Sequence, residues 1–407
     1  MELQANKTER IHSLDSLRAI MMLLGIVIHS AIPYTVTEFG FHKDPNTTHI
    51  TVDIIFVLIH SFRMPIFMVI AGFFGAMLFY ERGIYKMLKN RVTRVVFPFI
   101  VFLLLLHPTL QFARLFAKAV FSGSNYPIKE AAAYFTNLLS FLPNVTWHLW
   151  FLYYLIYFVI TSVIIATVFK RVPKKHTTGF LQISNNIFKK PFLRVFIFAG
   201  MTAFVFLIIG TPSIPHSNSF KPSLNVFIFY FSFYMVGWIL YKSKEQLNSF
   251  KQLDWMCTIL ALVLFTIGLS IEQSKLIAAP YGNMIKILVQ SLEVWLFIFG
   301  ITGLFIRYAS NHSARMRYIS DASYWVYLVH YTLTIFIAPL LIGWEVHAIT
   351  KFVIVIISTT IISFTSYHYL VRSTFIGKFL NGRKYSRKIT DTKKEKERKP
   401  LHPALDK

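Results

Sequence analysis

Long apolar runs are the feature of this sequence that most limits its fold. They recur from one end of the chain to the other, and each approaches the roughly 20 residues that a helix needs to cross a bilayer. Charged residues make up only 15% of the chain, whereas soluble domains contain about 25%. A helix satisfies its own backbone hydrogen bonds in lipid. The sequence therefore predicts an all-α, polytopic membrane bundle.

The apolar windows predict ten transmembrane helices. Their approximate limits are 14–34, 52–79, 95–117, 147–169, 192–210, 223–241, 254–271, 284–306, 322–342 and 348–371. The segment 130–142 is a candidate interfacial helix. We therefore expect one transmembrane domain over 1–372 and a basic, disordered cytoplasmic tail over 373–407.

The distribution of charge predicts the orientation of the bundle. Formal net charge is +24, which in a soluble chain would suggest a nucleic-acid partner. Most of the 42 Lys and Arg instead fall in alternate connecting segments, namely 1–13, 80–94, 170–194, 242–253, 307–321 and the tail. By the positive-inside rule, both termini are then cytoplasmic. We expect the chain to lie in the inner (plasma) membrane. We expect membrane lipids as partners and no nucleic acid.

Ionisable side chains inside apolar windows are expensive in lipid and usually have a function. The stretch "LDSLRAIMMLLGIVIHSAIPY" has Asp15 and Arg18 at one edge and His29 eleven residues beyond Arg18. Eleven residues of helix span about 16 Å, which brings His29 near the middle of a bilayer core about 30 Å thick. The Asp15–Arg18 pair could alternatively do no more than close the helix end.

Two further windows bring ionisable groups to a similar depth. His60 and Arg63 are three residues apart and share one face of the second span, and His330 lies within the ninth. A single intramembrane His is often a structural residue hydrogen-bonded to a neighbouring helix. That interpretation stays open for His107 and Glu293, whereas several such groups at one depth favour chemistry.

A basic cluster in "KMLKNRVTRVVFPF" precedes the third span. Its residues Lys89, Arg91 and Arg94 could set topology and contact lipid headgroups, or they could bind a phosphate-bearing ligand. The sequence lacks Walker A, dinucleotide-fingerprint, zinc-helix and nucleophile-elbow motifs, which disfavours ATP-driven pumps and soluble-type hydrolases. Cys257 is the single cysteine, and we expect no metal site. Gly72 and Gly75 indicate a close helix contact.

Five motifs in order carry a resemblance to a known family. They are "LDSLRA" followed by His29, "IHSFRMP" with "AGFF" at 59–74, "RVTRVVFP" at 91–98, "HLWFL" at 148–152 and "ASYWVYLVH" at 322–330. This arrangement resembles the membrane acyltransferase-3 family, and in particular its branch that adds succinyl groups to periplasmic glucans. The resemblance implies an essential His at His29, a paired Arg at Arg18 and a cytoplasmic arginine motif at Arg91 and Arg94.

The residues and the resemblance together define a set of candidate site residues. The catalytic candidates are Asp15, Arg18, His29, His60, Arg63 and His330, the donor-binding candidates are Lys89, Arg91 and Arg94, and the acceptor-binding candidates are His148 and Trp150. A structural role stays an alternative for His148, as for any single intramembrane His.

The expected function is that of an integral-membrane O-acyltransferase. It moves an acyl group, in the sharpest version succinyl, from a cytoplasmic acyl-CoA to a hydroxyl of an extracytoplasmic carbohydrate. His29 would act as general base, since imidazole titrates near neutrality. An acyl-histidine intermediate and a lipid or surface-polysaccharide acceptor remain open. No permanently bound cofactor is expected. The alternative is a proton-coupled transporter that uses the mid-membrane histidines.

Overall fold

The computed structural model describes residues 11–40, 42–274, 281–382 and 384–386. These residues are helical and irregular, with one isolated β-bridge between Val145 and Ser219. The α-helices are α1 (His12–Ala31), α2 (Ile50–Arg82), α3 (Ile84–Arg91), α4 (Phe97–Phe121), α5 (Pro127–Ala133), α6 (Trp150–Phe169), α7 (Lys174–Lys189), α8 (Pro191–Ile209), α9 (Leu224–Lys242), α10 (Asp254–Ser274), α11 (Tyr281–Tyr308), α12 (Ala314–Ile337), α13 (Ala348–Ser366) and α14 (Phe375–Asn381). Short 3₁₀ or π segments are Ile32–Tyr34, Val92–Val96, Tyr134–Thr136, Leu138–Phe141, Trp147–Leu149, Lys244–Gln252, Ala338–Leu341 and Tyr367–Val371.

The prediction of an all-α bundle with ten membrane helices is confirmed. In the described part of the chain, ten helical stretches are long and apolar enough to cross a bilayer. Large apolar side chains on their outer surfaces, such as Leu105, Ile164 and Phe204, stay exposed, as lipid-facing residues do. The predicted interfacial helix over 130–142 is shorter, because α5 ends at Ala133 and 3₁₀ turns follow. The amphipathic α7 was not predicted.

The third membrane stretch starts earlier than the predicted residue 95. Helix α3 continues into α4 through a π-helical turn at Val92–Val96. Pro98 has no N–H to give to the Arg94 carbonyl, and the hydroxyl of Tyr324 donates to that oxygen instead, at 3.0 Å. The basic motif therefore lies within a continuous helix, at a π turn, where functional sites are common.

Helix α1 lies inside the bundle, against α2, α11, α12 and α13. Helices α2 and α9 pack backbone against backbone, because a Cβ at Gly72 would meet the Tyr234 carbonyl and one at Gly237 would meet Val69. A Cβ at Gly75 would likewise meet the Tyr234 hydroxyl. The expected close contact at Gly72 and Gly75 is therefore confirmed, and it fixes α2 as a rigid support.

A buried ion pair holds the segment after α1 against α13. Nζ of Lys351 lies 2.9 Å from Oδ2 of Asp44, and both side chains are 0% exposed. The amide of Asp44 donates to the Pro33 carbonyl, one turn beyond the end of α1. This pair therefore ties together the ends of α1 and α13 at the end of the bundle nearer His29.

The expected boundary of a disordered tail at residue 373 is wrong for the residues up to 386. Helix α14 begins at Phe375, and residues 384–386 pack on α12 through hydrogen bonds such as that from the Tyr385 hydroxyl to Asp321. These residues are held by polar contacts, which cannot be predicted from the low hydropathy of the sequence. The remainder of the predicted tail, 387–407, lies outside the described residues.

Candidate active site

Three histidines from three separate elements meet inside the bundle. The ring of His330 on α12 lies 5.3 Å from the ring of His29 on α1 and 5.5 Å from that of His148, measured between centroids. His148 and His330 are buried, whereas His29 is partly exposed. We call these three residues the imidazole cluster. His148, which was predicted to bind acceptor, therefore lies with the predicted catalytic histidines.

Two tyrosines complete the surroundings of the imidazole cluster. The ring of Tyr331 lies 4.5 Å from that of His29 and 5.0 Å from that of His148. Tyr327 contacts the ring of His148 at 5.4 Å, and its hydroxyl donates to the His148 carbonyl at 2.7 Å. Sequence reasoning missed both, although they flank His330 at positions −3 and +1 and so lie on or next to its helix face.

Backbone carbonyls determine which ring nitrogens carry protons. Nδ1 of His330 lies 2.7 Å from the Tyr327 carbonyl, and Nε2 of His148 lies 3.1 Å from the Leu328 carbonyl. A carbonyl only accepts, so these nitrogens carry the hydrogen. The opposite nitrogens, Nε2 of His330 and Nδ1 of His148, are buried without a partner among the described residues, as is Nδ1 of His29. The cluster therefore offers unoccupied basic nitrogens.

Arg63 of α2 joins the imidazole cluster at Gly25 of α1. A Cβ on Gly25 would lie 2.9 Å from Nη1 of Arg63 and 3.0 Å from Nε2 of His330. Nε of Arg63 has no hydrogen-bond partner in the described part of the chain. Gly25 therefore leaves the space in which a guanidinium and an imidazole approach the same point of α1, a role that sequence reasoning did not assign.

His60 and Trp150 contact other rings. The ring of His60 stacks on Phe56 at 5.9 Å, and the ring of Trp150 lies 5.4 Å from that of Tyr230. His60 precedes Arg63 by one helical turn, and Trp150 follows His148 by two residues. Both residues therefore flank the imidazole cluster rather than form part of it.

An arginine-rich cavity of about 560 Å³ opens at the end of the bundle where α1 and α12 begin. We call it the arginine cavity. Its charged lining residues are Asp15, Arg18, Arg82, Arg91, Arg94, Arg317 and Asp321. Its inner lining is apolar and includes Met22, Phe67, Phe151 and Leu152. A cationic mouth with an apolar interior suits a ligand that combines phosphates with a narrow, less polar arm.

The structure moves Asp15 and Arg18 from the predicted catalytic group to this cavity. Nη2 of Arg18 lies 3.4 Å from Oδ1 of Asp15, and both side chains line the cavity mouth. Eleven residues separate Arg18 from His29, about 16 Å of helix. Asp15 and Arg18 therefore lie at the cavity mouth and not beside the imidazole cluster.

The three predicted donor-binding residues occupy different surroundings. Arg91 lines the arginine cavity, and its Nε and Nη2 are buried without a partner among the described residues. Arg94 also lines the cavity, but its Nη1 donates to the carbonyls of Lys378 and Phe379. Lys89 is exposed and lies outside the cavity lining. Arg91 is thus the member of the motif best placed to bind a ligand.

The two remaining intramembrane candidates lie apart from the imidazole cluster. His107 accepts a hydrogen bond from Nε1 of Trp147 and contacts the Ser140 carbonyl through Nε2, so its ring is fully satisfied. Glu293 is buried on α11, with Oε1 lacking a partner within the described ranges. The structural alternative therefore holds for His107.

The membrane bundle combines an arginine-lined cavity with a buried imidazole cluster, an arrangement that suits a membrane-embedded group-transfer enzyme. A family model described as an acyltransferase domain, the acyltransferase-3 family, matches residues 11–368. The chain belongs to this family and is a multi-pass membrane acyltransferase.

The chain is also similar to curated proteins over most of its length. Proteins named glucans biosynthesis protein C from Salmonella paratyphi B, Salmonella dublin and Salmonella enteritidis PT4 are each 28% identical to this chain over 338 residues. The match covers 80% of this chain and 83% of each relative. No solved structure matches the chain.

Proposed function

We propose that this enzyme transfers an acyl group from a cytoplasmic acyl-CoA to a hydroxyl of a glucan on the far side of the inner membrane. One observation carries the proposal: the elements that contribute the imidazole cluster and Arg63 also line the arginine cavity. Met22 precedes His29 by seven residues, about 10 Å of helix, and Phe67 follows Arg63 by about 6 Å. Phe151, which also lines the cavity, follows His148 by three residues, and Ser323 precedes His330 by seven.

The donor fits this arrangement from the phosphates inward. Arg91 and Arg18 present guanidinium groups to phosphate oxygens, which arginine binds through paired hydrogen bonds. The pantetheine arm follows the apolar lining past Phe67 and Phe151, and the thioester reaches the imidazole cluster. The positive-inside distribution of Lys and Arg supports a cytoplasmic position for the cavity and for both termini.

The chemistry follows from the unoccupied nitrogens of the cluster. The acceptor oxygen attacks the thioester carbon while His29 takes the hydroxyl proton, and the C–S bond then breaks. The proton passes to the departing thiolate, so the products are an ester and free coenzyme A. A positioned base of this kind contributes about 10²–10⁴-fold in rate. An acyl-histidine route balances equally, with the imidazole as the first nucleophile.

Arg63 supplies positive charge where the reaction develops negative charge. Nη1 of Arg63 and Nε2 of His330 would lie 2.9 and 3.0 Å from a Cβ on Gly25, and no ion pair engages Arg63 among the described residues. Arg63 can stabilise the oxyanion that forms on the thioester carbon. A succinyl donor carries an additional carboxylate, which the same unpaired cation favours. We therefore propose succinyl as the transferred group and, from the names of the relatives, a glucan as the acceptor.

The test uses the full-length protein reconstituted in vesicles with succinyl-CoA and a glucan. We expect release of free thiol that depends on acceptor, and a glucan mass increase that matches one succinyl ester. His29→Ala should abolish both, whereas His176→Ala, on the exposed face of α7, should abolish neither. Wild-type turnover by His29→Ala would show that His29 is not the general base.

The same vesicles separate this proposal from a proton-coupled transporter. A transporter would move protons and solute without releasing coenzyme A. A pH-sensitive dye inside the vesicles reports that flux. Proton uptake in the absence of any thiol release would overturn acyl transfer as the activity of these histidines.

A further inference from the structure

The chain beyond the last membrane helix forms part of the arginine cavity. Leu380, Asn381 and Tyr385 line it together with Arg18 and Arg91. We call helix α14 together with residues 384–386 the C-terminal strap. These residues return to a cavity whose other walls come from α1, α2, α3, the π turn at Val92–Val96, α6 and α12.

Arg94 holds the end of the strap helix. Its Nη1 donates to the carbonyls of Lys378 and Phe379 at 3.0 and 2.7 Å, in the last turn of α14. The Lys378 carbonyl also accepts from the N–H of Gly382, whereas the Phe379 carbonyl lies beyond the reach of the helix's own N–H groups. Arg94 therefore adds a cation at the C-cap. Gly382 follows at φ 84°, and a Cβ at that position would run into Nη2 of Arg94. Arg94 is therefore engaged by the strap.

Tyr385 holds the other end of the strap through Asp321. Its hydroxyl donates to Oδ1 of Asp321 at 2.9 Å, and Nη2 of Arg317 donates to the same hydroxyl at 3.3 Å. Burial, together with the Asp321 carboxylate, raises the pKa of Tyr385, so the phenol keeps its proton and remains a donor. Nδ2 of Asn381 adds a bond to the Asp321 carbonyl at 2.9 Å.

Arg372 contacts residues 385 and 386 of the strap. It is 1% exposed, its Nε donates to the Ser386 carbonyl at 2.7 Å, and its guanidinium lies 5.4 Å from the Tyr385 ring. Three arginines from three helical regions, Arg94, Arg317 and Arg372, are thus engaged by the strap. Loss of the Ser386 carbonyl would leave the Arg372 charge buried without that partner, which is costly, so this contact favours the observed position of the strap.

The arginines around the cavity therefore divide into two groups. Arg94 and Arg317 have partners in the strap, whereas Arg91 has two buried N–H-bearing nitrogens without partners in the described part of the chain. We propose that the C-terminal strap is a wall of the donor site, in which Asn381 and Tyr385 contact the phosphorylated end of a thioester donor while Arg94 acts as a positioning residue. This inference rests on the proposed function and deepens it.

Two truncations of the chain test the strap. A chain that ends at residue 374 lacks the strap, and a chain that ends at residue 390 keeps the strap and lacks residues 391–407. We expect the shorter chain to have a donor KM raised about tenfold or more, equivalent to loss of one good ligand contact, with acceptor KM unchanged. The chain that ends at 390 should match full-length protein. Equal donor KM values for both truncations would overturn the proposal.

Point variants and a direct binding measurement guard against misfolding of the short chain. Tyr385→Ala and Asn381→Ala in the full chain should weaken binding of coenzyme A itself, measured by calorimetry, while the acceptor KM stays unchanged. Arg94→Lys keeps a cation at the α14 C-terminus and should restore most of the affinity that Arg94→Ala loses. Full-length protein that binds no coenzyme A would contradict the proposed donor, whereas undiminished binding by these variants would contradict only the strap.

Discussion

The indole N–H of Trp147 donates a 3.0 Å hydrogen bond to Nδ1 of His107, and Trp147 is the residue immediately before His148. Trp147 has a φ of 52°, the one positive value among the described residues other than glycine. Such a conformation is strained for a bulky side chain and persists only where its surroundings enforce it. His107 therefore holds the turn that directs His148 into the imidazole cluster.

Trp147→Phe removes the indole donor and keeps an aromatic ring. One neutral hydrogen bond contributes roughly 1 kcal/mol, which corresponds to about a fivefold change in rate. We expect kcat to fall by about that factor because His148 is less well held, with donor KM unchanged. Initial rates over a range of succinyl-CoA concentrations measure both. An unaltered kcat would show that the turn does not position His148.

Arg91→Ala and Lys89→Ala form a matched pair in the basic motif. Arg91 presents partnerless nitrogens to the arginine cavity, whereas Lys89 is exposed outside its lining. A hydrogen bond to a charged group contributes about 1.5–3 kcal/mol, so Arg91→Ala should raise donor KM roughly 10- to 100-fold. Lys89→Ala should leave it unchanged. Equal effects of the two variants would return the motif to a role in topology alone.

Gly25→Ala tests the space beside the imidazole cluster. The new methyl group would lie 2.9 Å from Nη1 of Arg63 and 3.0 Å from Nε2 of His330, so both groups must move. We expect at least a tenfold loss of kcat, about 1.4 kcal/mol of transition-state stabilisation, in a protein that still inserts and folds. Normal turnover by Gly25→Ala would mean that catalysis does not require the observed positions of Arg63 and His330.

The control for that variant is Gly200→Ala on α8. Nothing lies within 4 Å of a Cβ at Gly200, and the residue is exposed. Alanine exceeds glycine in helix propensity by about 0.8–1.0 kcal/mol. Gly200→Ala should therefore keep full activity and an equal or higher Tm.

Lys351→Met tests the buried ion pair at the end of α1. It leaves the Asp44 carboxylate buried without its partner, and breaking a buried pair in this way costs about 3–5 kcal/mol. We expect a marked fall in Tm in detergent, partly reversed when Asp44→Asn is added. Glu38→Gln removes an exposed pair at 3.9 Å and should leave Tm unchanged. Identical Tm values for the single and double variants would contradict this account.

The sequence predicted the membrane helices well because a span needs a long apolar run, which is a local property. The proximity of His29, Arg63 and His330 could be predicted, because several ionisable groups are costly to bury at one depth in the membrane unless they serve a common site. The C-terminal strap could not be predicted, since Arg94 and Lys378 are 284 positions apart and no local pattern links them. Their contact depends on how the π turn before α4 and the segment after α13 pack.

Other parts of the site depend on geometry that residue types do not reveal. Tyr331 is one of many aromatic residues in apolar windows, and only its contacts with His29 and His148 distinguish it. Asp15 and Arg18 were assigned to catalysis because both lie in the "LDSLRA" motif that carries the family resemblance, but their distance from His29 along α1 places them at the cavity mouth. The π turn that brings Arg91 and Arg94 into one helix follows from the missing N–H of Pro98.

The tautomers of His148 and His330 are set by main-chain oxygens of α12, not by side chains. Exchanging any neighbouring residue for another that preserves the helix therefore leaves the same nitrogen of each ring unprotonated. The neighbouring side chains can therefore change through evolution, or be redesigned for a different acyl chain, while the same nitrogen of each ring remains the hydrogen-bond acceptor.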